Sequence, residues 1–173
     1  TQNPLEQAGT YPLPEAQLDR FLLHIRVDYP TEAEERAILQ QTTGASSAEV
    51  PRVMHGEAVR ELQKLVREVH MSDDVLSWIN QLVRASRPHE KISKDIENWV
   101  KWGAGPRAGQ ALVLASKARA LIQGRFAATK DDVQALAAPV LRHRLLLTFV
   151  AEAEQISADD VVAALLKIVP FPG

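Results

Sequence analysis

Not one of the chain's 173 residues is cysteine, which excludes disulfides and thiolate metal sites and agrees with a reducing compartment. Aromatic residues supply only 5%, so a core must be assembled from Ala, Leu, Val and Ile. No apolar run reaches the roughly 18 residues that a spanning helix needs, and no signal-peptide pattern is visible. A cytoplasmic protein with no membrane insertion is expected. A net charge of −2 provides no basic field for wrapping nucleic acid, so no nucleic-acid partner is expected. His70, His89 and His143 lack the spacing of a zinc site, and no metal ligands are assigned. The sequence also has no G-x-x-x-x-G-K-[ST] phosphate loop and opens without methionine, at Thr1-Gln2-Asn3-Pro4. It reads as the C-terminal part of something larger.

What is present is the composition of an ordinary globular domain, 46% hydrophobic and 24% charged. Its periodicity is mainly α. Pro14 opens an expected helix to about residue 24, with Leu18, Phe21, Leu22 and Ile25 on its apolar face, and the alternation His24 to Asp28 predicts a strand. Thr31 and Glu34 form a T-x-x-E capping box for a helix to about Thr43, followed by a loop to Pro51. Val59, Leu62, Val66 and Val69 recur at helical spacing. Ser72 caps a helix bearing Val75, Ile79, Leu82 and Val83. Residues 87–105, with Pro88, Gly103 and Gly105, predict a long irregular connection holding one short turn around Trp99.

A helix is expected from Pro106 to Gln123, with Ala108, Ala111, Leu112, Ala115, Ala118 and Ile122 inward and Gly124 as its stop. Thr129 and Ser157 cap two more, and Leu145 to Val150 is expected to be extended. The pairs Asp73-Asp74, Asp131-Asp132 and Asp159-Asp160 fall in first turns, where they read as capping charges rather than catalytic acids. Trp78, Trp99 and Trp102 read as packing residues, with Trp102 expected beneath the 103–105 loop.

Two arginines stand out. Arg107 follows Pro106 in a first helical turn, where a cation opposes the helix dipole unless an anion lies between them. The position asks for a phosphate or a carboxylate. Arg20 lies about 200° around the expected helix from Leu18 and points outward. From the residues alone it reads as a solvated arginine paired with Glu15 or Asp19.

The opening TQNPLEQAGTYPLPEAQLDRF, then WGAGPRAGQAL, SKARALIQGRFAATKDDV and VLRHRL, resemble in order and spacing the AAA+ ATPases of the MoxR group. That resemblance implies that residues 1–30 are the end of an α/β core, contributing its last helix and strand, and that 31–173 form an α-helical lid domain. It implies that Asn3 is the sensor-1 asparagine, Arg20 an arginine finger acting in trans, and Arg107 the sensor-2 arginine on ATP phosphate. ATP and Mg²⁺ would be the cofactors of the full-length ATPase, and neither is expected to bind tightly to this stretch alone. It further implies a hexameric ring, von Willebrand factor A domain partners, and chaperone-like remodelling or maturation of other proteins. Gly105 departs from the pattern, which commonly has a small hydroxyl residue there. Two other readings remain: a stand-alone helical protein-interaction module, and a magnesium-chelatase-like or helicase-like AAA+ relative.

Overall fold

The structure is a computed structural model that describes residues 13–44 and 50–172. By internal contacts the chain divides into two units, one of residues 1–24 with 66–173 and one of residues 25–65. The fold is mainly α, as the periodicity predicts.

In the smaller unit, α2 (Glu32–Thr42) starts where expected. Thr31 accepts from the Glu34 N–H, and the Glu34 carboxylate accepts from the Thr31 N–H at 2.8 Å. The Thr31 hydroxyl also donates to that carboxylate at 2.7 Å, and the two bonds the carboxylate accepts, the hydroxyl first and the backbone second, hold the Glu34 carboxyl below its ordinary pKa. Helix α3 (Gly56–Glu68) is amphipathic, with Val59, Leu62 and Leu65 along one side, each still substantially exposed.

The larger unit is built on four helices: α4 (Asp73–Ala85), α6 (Pro106–Ile122), α7 (Lys130–Leu141) and α9 (Ala158–Ile168). Helix α6 packs on α4 and α7, and α9 packs on α7 and α4, so the four enclose one core. Trp78, Leu82, Leu112, Val133, Val140, Val161 and Leu165 are essentially removed from water. Each large apolar side chain so buried contributes about 1.5–3 kcal/mol. Trp78 donates its indole N–H to the Val169 carbonyl at 2.7 Å and meets Phe171 edge-on. Two of the few aromatics, Trp78 and Phe171, thus anchor the C-terminal end on the core.

The predicted caps hold. Ser72 and Ser157 accept from the N–H groups of Val75 and Asp160, and Gly124, at φ 73°, ends α6. Its N–H bonds to the Leu121 carbonyl and that of Arg125 to Ala120, the paired bonds of a Schellman stop. Ile122 does not join the inner face of α6. Lying in the last turn before the stop, it is 86% exposed.

Three sequence expectations are corrected. The helix expected over 14–24 is only α1 (Glu15–Leu18), and 24–28 form no strand among the described residues. The backbone carbonyls of 19–24 are drawn instead to arginines far along the chain. Residues 87–105 are not irregular: a 3-10 turn at Pro88–Glu90, α5 (Lys94–Trp99) and β2 (Val100–Trp102) fill them, with Ser93 capping α5 through the Asp95 N–H. Only the first part of 145–150 is extended, because Thr148 caps α8 (Phe149–Ala153). β2 pairs antiparallel with β4 (Leu146–Leu147), and β1 (His70–Met71) pairs parallel with β3 (Ala127–Ala128). Among the described residues no helix is long and apolar enough to cross a membrane.

One charged knot sits inside this unit. Asp132 is fully buried at the start of α7, and its carboxylate accepts from Arg119, from both terminal nitrogens of Arg125 at 2.6 and 2.8 Å, and from the Thr129 N–H at 2.9 Å. Burial alone would raise this carboxyl's pKa. The bonds from Arg125, Thr129 and Arg119 outweigh burial and hold it far below the ordinary carboxylate range. Asp132→Asn is expected to cost about 2–4 kcal/mol at neutral pH. Because the folded-state pKa is depressed, that contribution is complete above the unfolded carboxyl value of about 3.9 and is lost as pH falls through the folded one. Urea titrations of both proteins from pH 7 down to pH 2 check this: the gap between them narrows only below about pH 4.

Candidate functional site

The N-terminus of α6 is fixed by the loop before it. Ala104 is buried, donates its N–H to the Ser86 hydroxyl at 2.9 Å, and accepts from the Arg87 guanidinium at 3.1 Å. Gly103 is required here, since a Cβ would stand 2.4 Å from the Ser86 carbonyl oxygen and 2.7 Å from the Arg87 Cα. Gly105 is the N-cap, in extended backbone with no side-chain cap, and Pro106 is the first helical residue. Arg107 follows in the first turn, as expected. Helices α4, α5, α7 and α9 each carry acidic residues in that turn, and α6 carries none.

The anion that Arg107 meets is Asp19. Its Oδ2 lies 3.3 Å from Arg107 Nη1, and its Oδ1 accepts from Arg144 Nε at 3.1 Å. One carboxylate therefore sits between two guanidinium groups of opposite character. The Arg107 side chain is 54% exposed and that of Arg144 3%. The anion requirement was legible in the sequence, and the identity of the partner, 88 residues away, was not.

Arg144 organises the whole 19–24 segment. Besides Asp19 Oδ1 it donates to the backbone carbonyls of Asp19, Phe21, Leu22 and Val140, which uses all five of its N–H groups. Burial pulls its pKa below the usual arginine value and Asp19 opposes this, and a guanidinium keeps its charge throughout. Its neighbours continue the clamp. Arg142 donates to the His24 carbonyl at 3.1 Å and to Asp159 at 2.9 Å, His143 Nε2 lies 3.2 Å from the Phe21 carbonyl, and the His24 N–H reaches Pro139 at 2.8 Å. The run Arg142-His143-Arg144 is thus a structural clamp.

Beside this clamp is a cleft of about 690 Å³, walled by Glu15, Asp19, Lys101, Trp102, Arg142 and Leu146 among others. Trp102 is not packed beneath the loop but 74% exposed. Trp99 donates to Glu154 at 2.8 Å. Arg20 lies in the turn after α1, exposed, with no ion pair among the described residues, since Asp19 faces Arg107 and Arg144 instead. Asn3 lies outside the described residues. The structure thus brings Arg107 next to the residue preceding Arg20, a juxtaposition that helical phase alone did not contain.

Comparison with known proteins supplies the class. Residues 92–165 match a model of the AAA lid domain, and residues 1–23 match one of the ATPase family associated with various cellular activities. The chain is 36% identical over 173 residues to chaperone MoxR1 of Mycobacterium tuberculosis, covering 99% of this chain and 46% of that protein. It is 37% identical over 173 residues to YeaC of Bacillus subtilis, covering 99% and 52%, and 33% identical over 164 residues to protein MoxR of Paracoccus denitrificans, covering 85% and 47%. The crystal structure of a "putative ATPase" from Cytophaga hutchinsonii superposes with a TM-score of 0.93 at 31% identity, covering all of this chain and 53% of that one. The fold and these matches define an AAA+ lid region with the end of an AAA+ core. Within that class the chain belongs to the MoxR family of AAA+ ATPases. It spans about half the length of the relatives it matches.

Two outcomes follow for the clamp and the cap. Burial lowers the His143 pKa ahead of every other influence, the Phe21 carbonyl opposes it, and Arg144 and His24 add to it. A folded-state value below the unfolded one of about 6.5 means that His143 favours the fold above that pH and ceases to as pH falls through its folded value. The protection factor of the His24 amide, taken against the intrinsic exchange rate at each pH, is expected to fall on acidification from pH 7 to pH 5, and His143→Gln removes that fall. At Gly105 a Cβ would meet nothing within 4 Å. Gly105→Ser therefore supplies the missing cap, raising stability by a few tenths of a kcal/mol in thermal melts.

Proposed function

We propose that the full-length protein is an ATPase that couples ATP binding and hydrolysis to chaperone-like remodelling or maturation of partner proteins, with Arg107 as the phosphate-binding arginine of the lid. The observation that carries this is the setting of Arg107: a half-exposed cation in the first turn of a 17-residue helix whose first turn holds no acid. Pro106 has no N–H and Ala108 gives its own to the Gly105 carbonyl at 3.0 Å, so the Arg107 N–H and the positive end of the helix dipole point the same way as the guanidinium, which is the chemistry of an anion site. A phosphate fits these residues.

ATP and Mg²⁺ supply the transferable phosphoryl group and its counter-charge. Among the described residues no group of three His, Asp or Glu is arranged to hold a metal, and the sequence has no phosphate loop. Metal contacts are accordingly assigned to the rest of the full-length protein, and this stretch alone is expected not to hydrolyse ATP. Phosphoryl transfer is promoted chiefly by positioning and by charges aimed at the phosphoryl oxygens. Arg107 orients and neutralises phosphate oxygens. Arg20, exposed and without an ion-pair partner among the described residues, is free to reach a neighbouring subunit's site as a finger in trans. Asn3, by its place in the sequence pattern, orients the attacking water, because an amide can accept and donate at once. A hexameric ring and partners with von Willebrand factor A domains complete the reading, and both rest on the family resemblance.

The test uses the full-length protein. Arg20→Ala is expected to lower kcat by about 10³-fold with nucleotide affinity nearly unchanged, whereas Arg107→Ala weakens both. Steady-state ATPase assays on assembled oligomers, with Kd from calorimetry, read the two apart. Full turnover in Arg20→Ala oligomers would refute the finger assignment.

A further inference from the structure

We propose that Asp19 is a built-in competitor for the anion bound by Arg107: in the nucleotide-free protein its carboxylate holds the arginine, and a phosphate takes the arginine from it. This rests on the reading of Arg107 as a phosphate ligand and adds a regulator to that site.

The argument lies in the asymmetry of the shared carboxylate. Arg144 cannot leave Asp19, because it is almost wholly buried and its five N–H groups are all committed, four of them to backbone carbonyls. Arg107 can leave. Its bond to Asp19 is a single contact at 3.3 Å and more than half of its side chain is in water. Such exposed pairs are weak. A phosphate at the α6 N-terminus offers more: greater negative charge, several oxygens for a forked guanidinium, and a bond to the Arg107 backbone N–H, which Asp19, holding the side chain, leaves unbonded.

Two cations on one anion also leave the cluster with an excess positive charge, so a second anion is electrostatically welcome once Arg107 turns away. Arg144 then retains Asp19, and the departure does not strand a buried carboxylate. The competitor is therefore reversible. It taxes nucleotide affinity by the fraction of time that Arg107 is held, and it does so from the residue next to Arg20.

In full-length protein, the Kd for a non-hydrolysable ATP analogue is measured by calorimetry at low salt for the parent, Asp19→Asn, Arg107→Ala and the double variant. Asp19→Asn keeps an oxygen for Arg144 but removes the charge. It is expected to tighten binding about two- to fivefold, and the gain is expected to vanish in the Arg107→Ala background. Should Asp19→Asn fail to melt cooperatively, the parent is read by NMR instead: the Arg107 Nε–H resonance is expected to shift on adding the analogue, and an unshifted one overturns the proposal. Unchanged or weakened binding in the Asp19 variants, with Arg107→Ala still weakening it, overturns this proposal alone. A gain that persists without Arg107 also overturns it. If Arg107→Ala leaves affinity unchanged, the phosphate-ligand reading itself fails.

Discussion

The arrangement of the site depends on one buried guanidinium. Arg144 is almost inaccessible to water, and a cation so placed is tolerable only if every N–H finds an acceptor and a carboxylate stands nearby. All of those acceptors but the Val140 carbonyl come from a segment more than 120 residues earlier, whose backbone is bent into the required carbonyl positions. The cost of burial is thereby converted into a geometric constraint. Arg144 admits one path for residues 19–24, and that path delivers Asp19 to Arg107. Without it, the first turn of α6 and the turn bearing Arg20 would have no fixed relation.

The second constraint is the backbone approach at Gly103. A loop that must let the Ser86 carbonyl within side-chain distance can place α6 in only one way against α4, and Ser86 and Arg87 then take up both polar groups of Ala104. The exposed cation of Arg107 is thus mounted on rigid support, while more than half of its side chain stays in water. The phosphate role proposed for Arg107 needs that combination: a fixed origin and an exposed end.

The features legible in the sequence were those set within a few residues. Capping boxes, the Gly124 stop, the acidic first turns and the anion demand of Arg107 are local chemistry, read correctly from short spacings. The misread stretches were decided by distant partners. Leu18, Phe21, Leu22 and Ile25 have a helical period, yet Arg144 claims the carbonyls of Asp19, Phe21 and Leu22 that a longer helix would have used, and Phe21, Leu22 and Ile25 remain exposed. The stretch 87–105 failed differently. Its Ser93 cap is a local signal that a reading from Pro88, Gly103 and Gly105 does not use, and Ile96 and Val100 are fully buried. Breakers at both ends of a segment delimit a short element as readily as they mark a loop.

The pairing of Arg107 with a carboxylate also bears on why a cation survives at such a helix start. A lone arginine there would oppose the dipole with nothing in return, at a cost of some tenths of a kcal/mol to about 1. Asp19 removes most of that cost without filling the helix terminus, because it bonds the side chain and not the backbone N–H groups of the first turn. The positive end of α6 therefore stays open to an anion even while its arginine is satisfied. A first-turn acid on α6 itself, of the kind that starts α4, α7 and α9, would have quenched the dipole and closed that option. Stability is supplied from a neighbouring segment, and the anion-binding capacity of the helix is left intact.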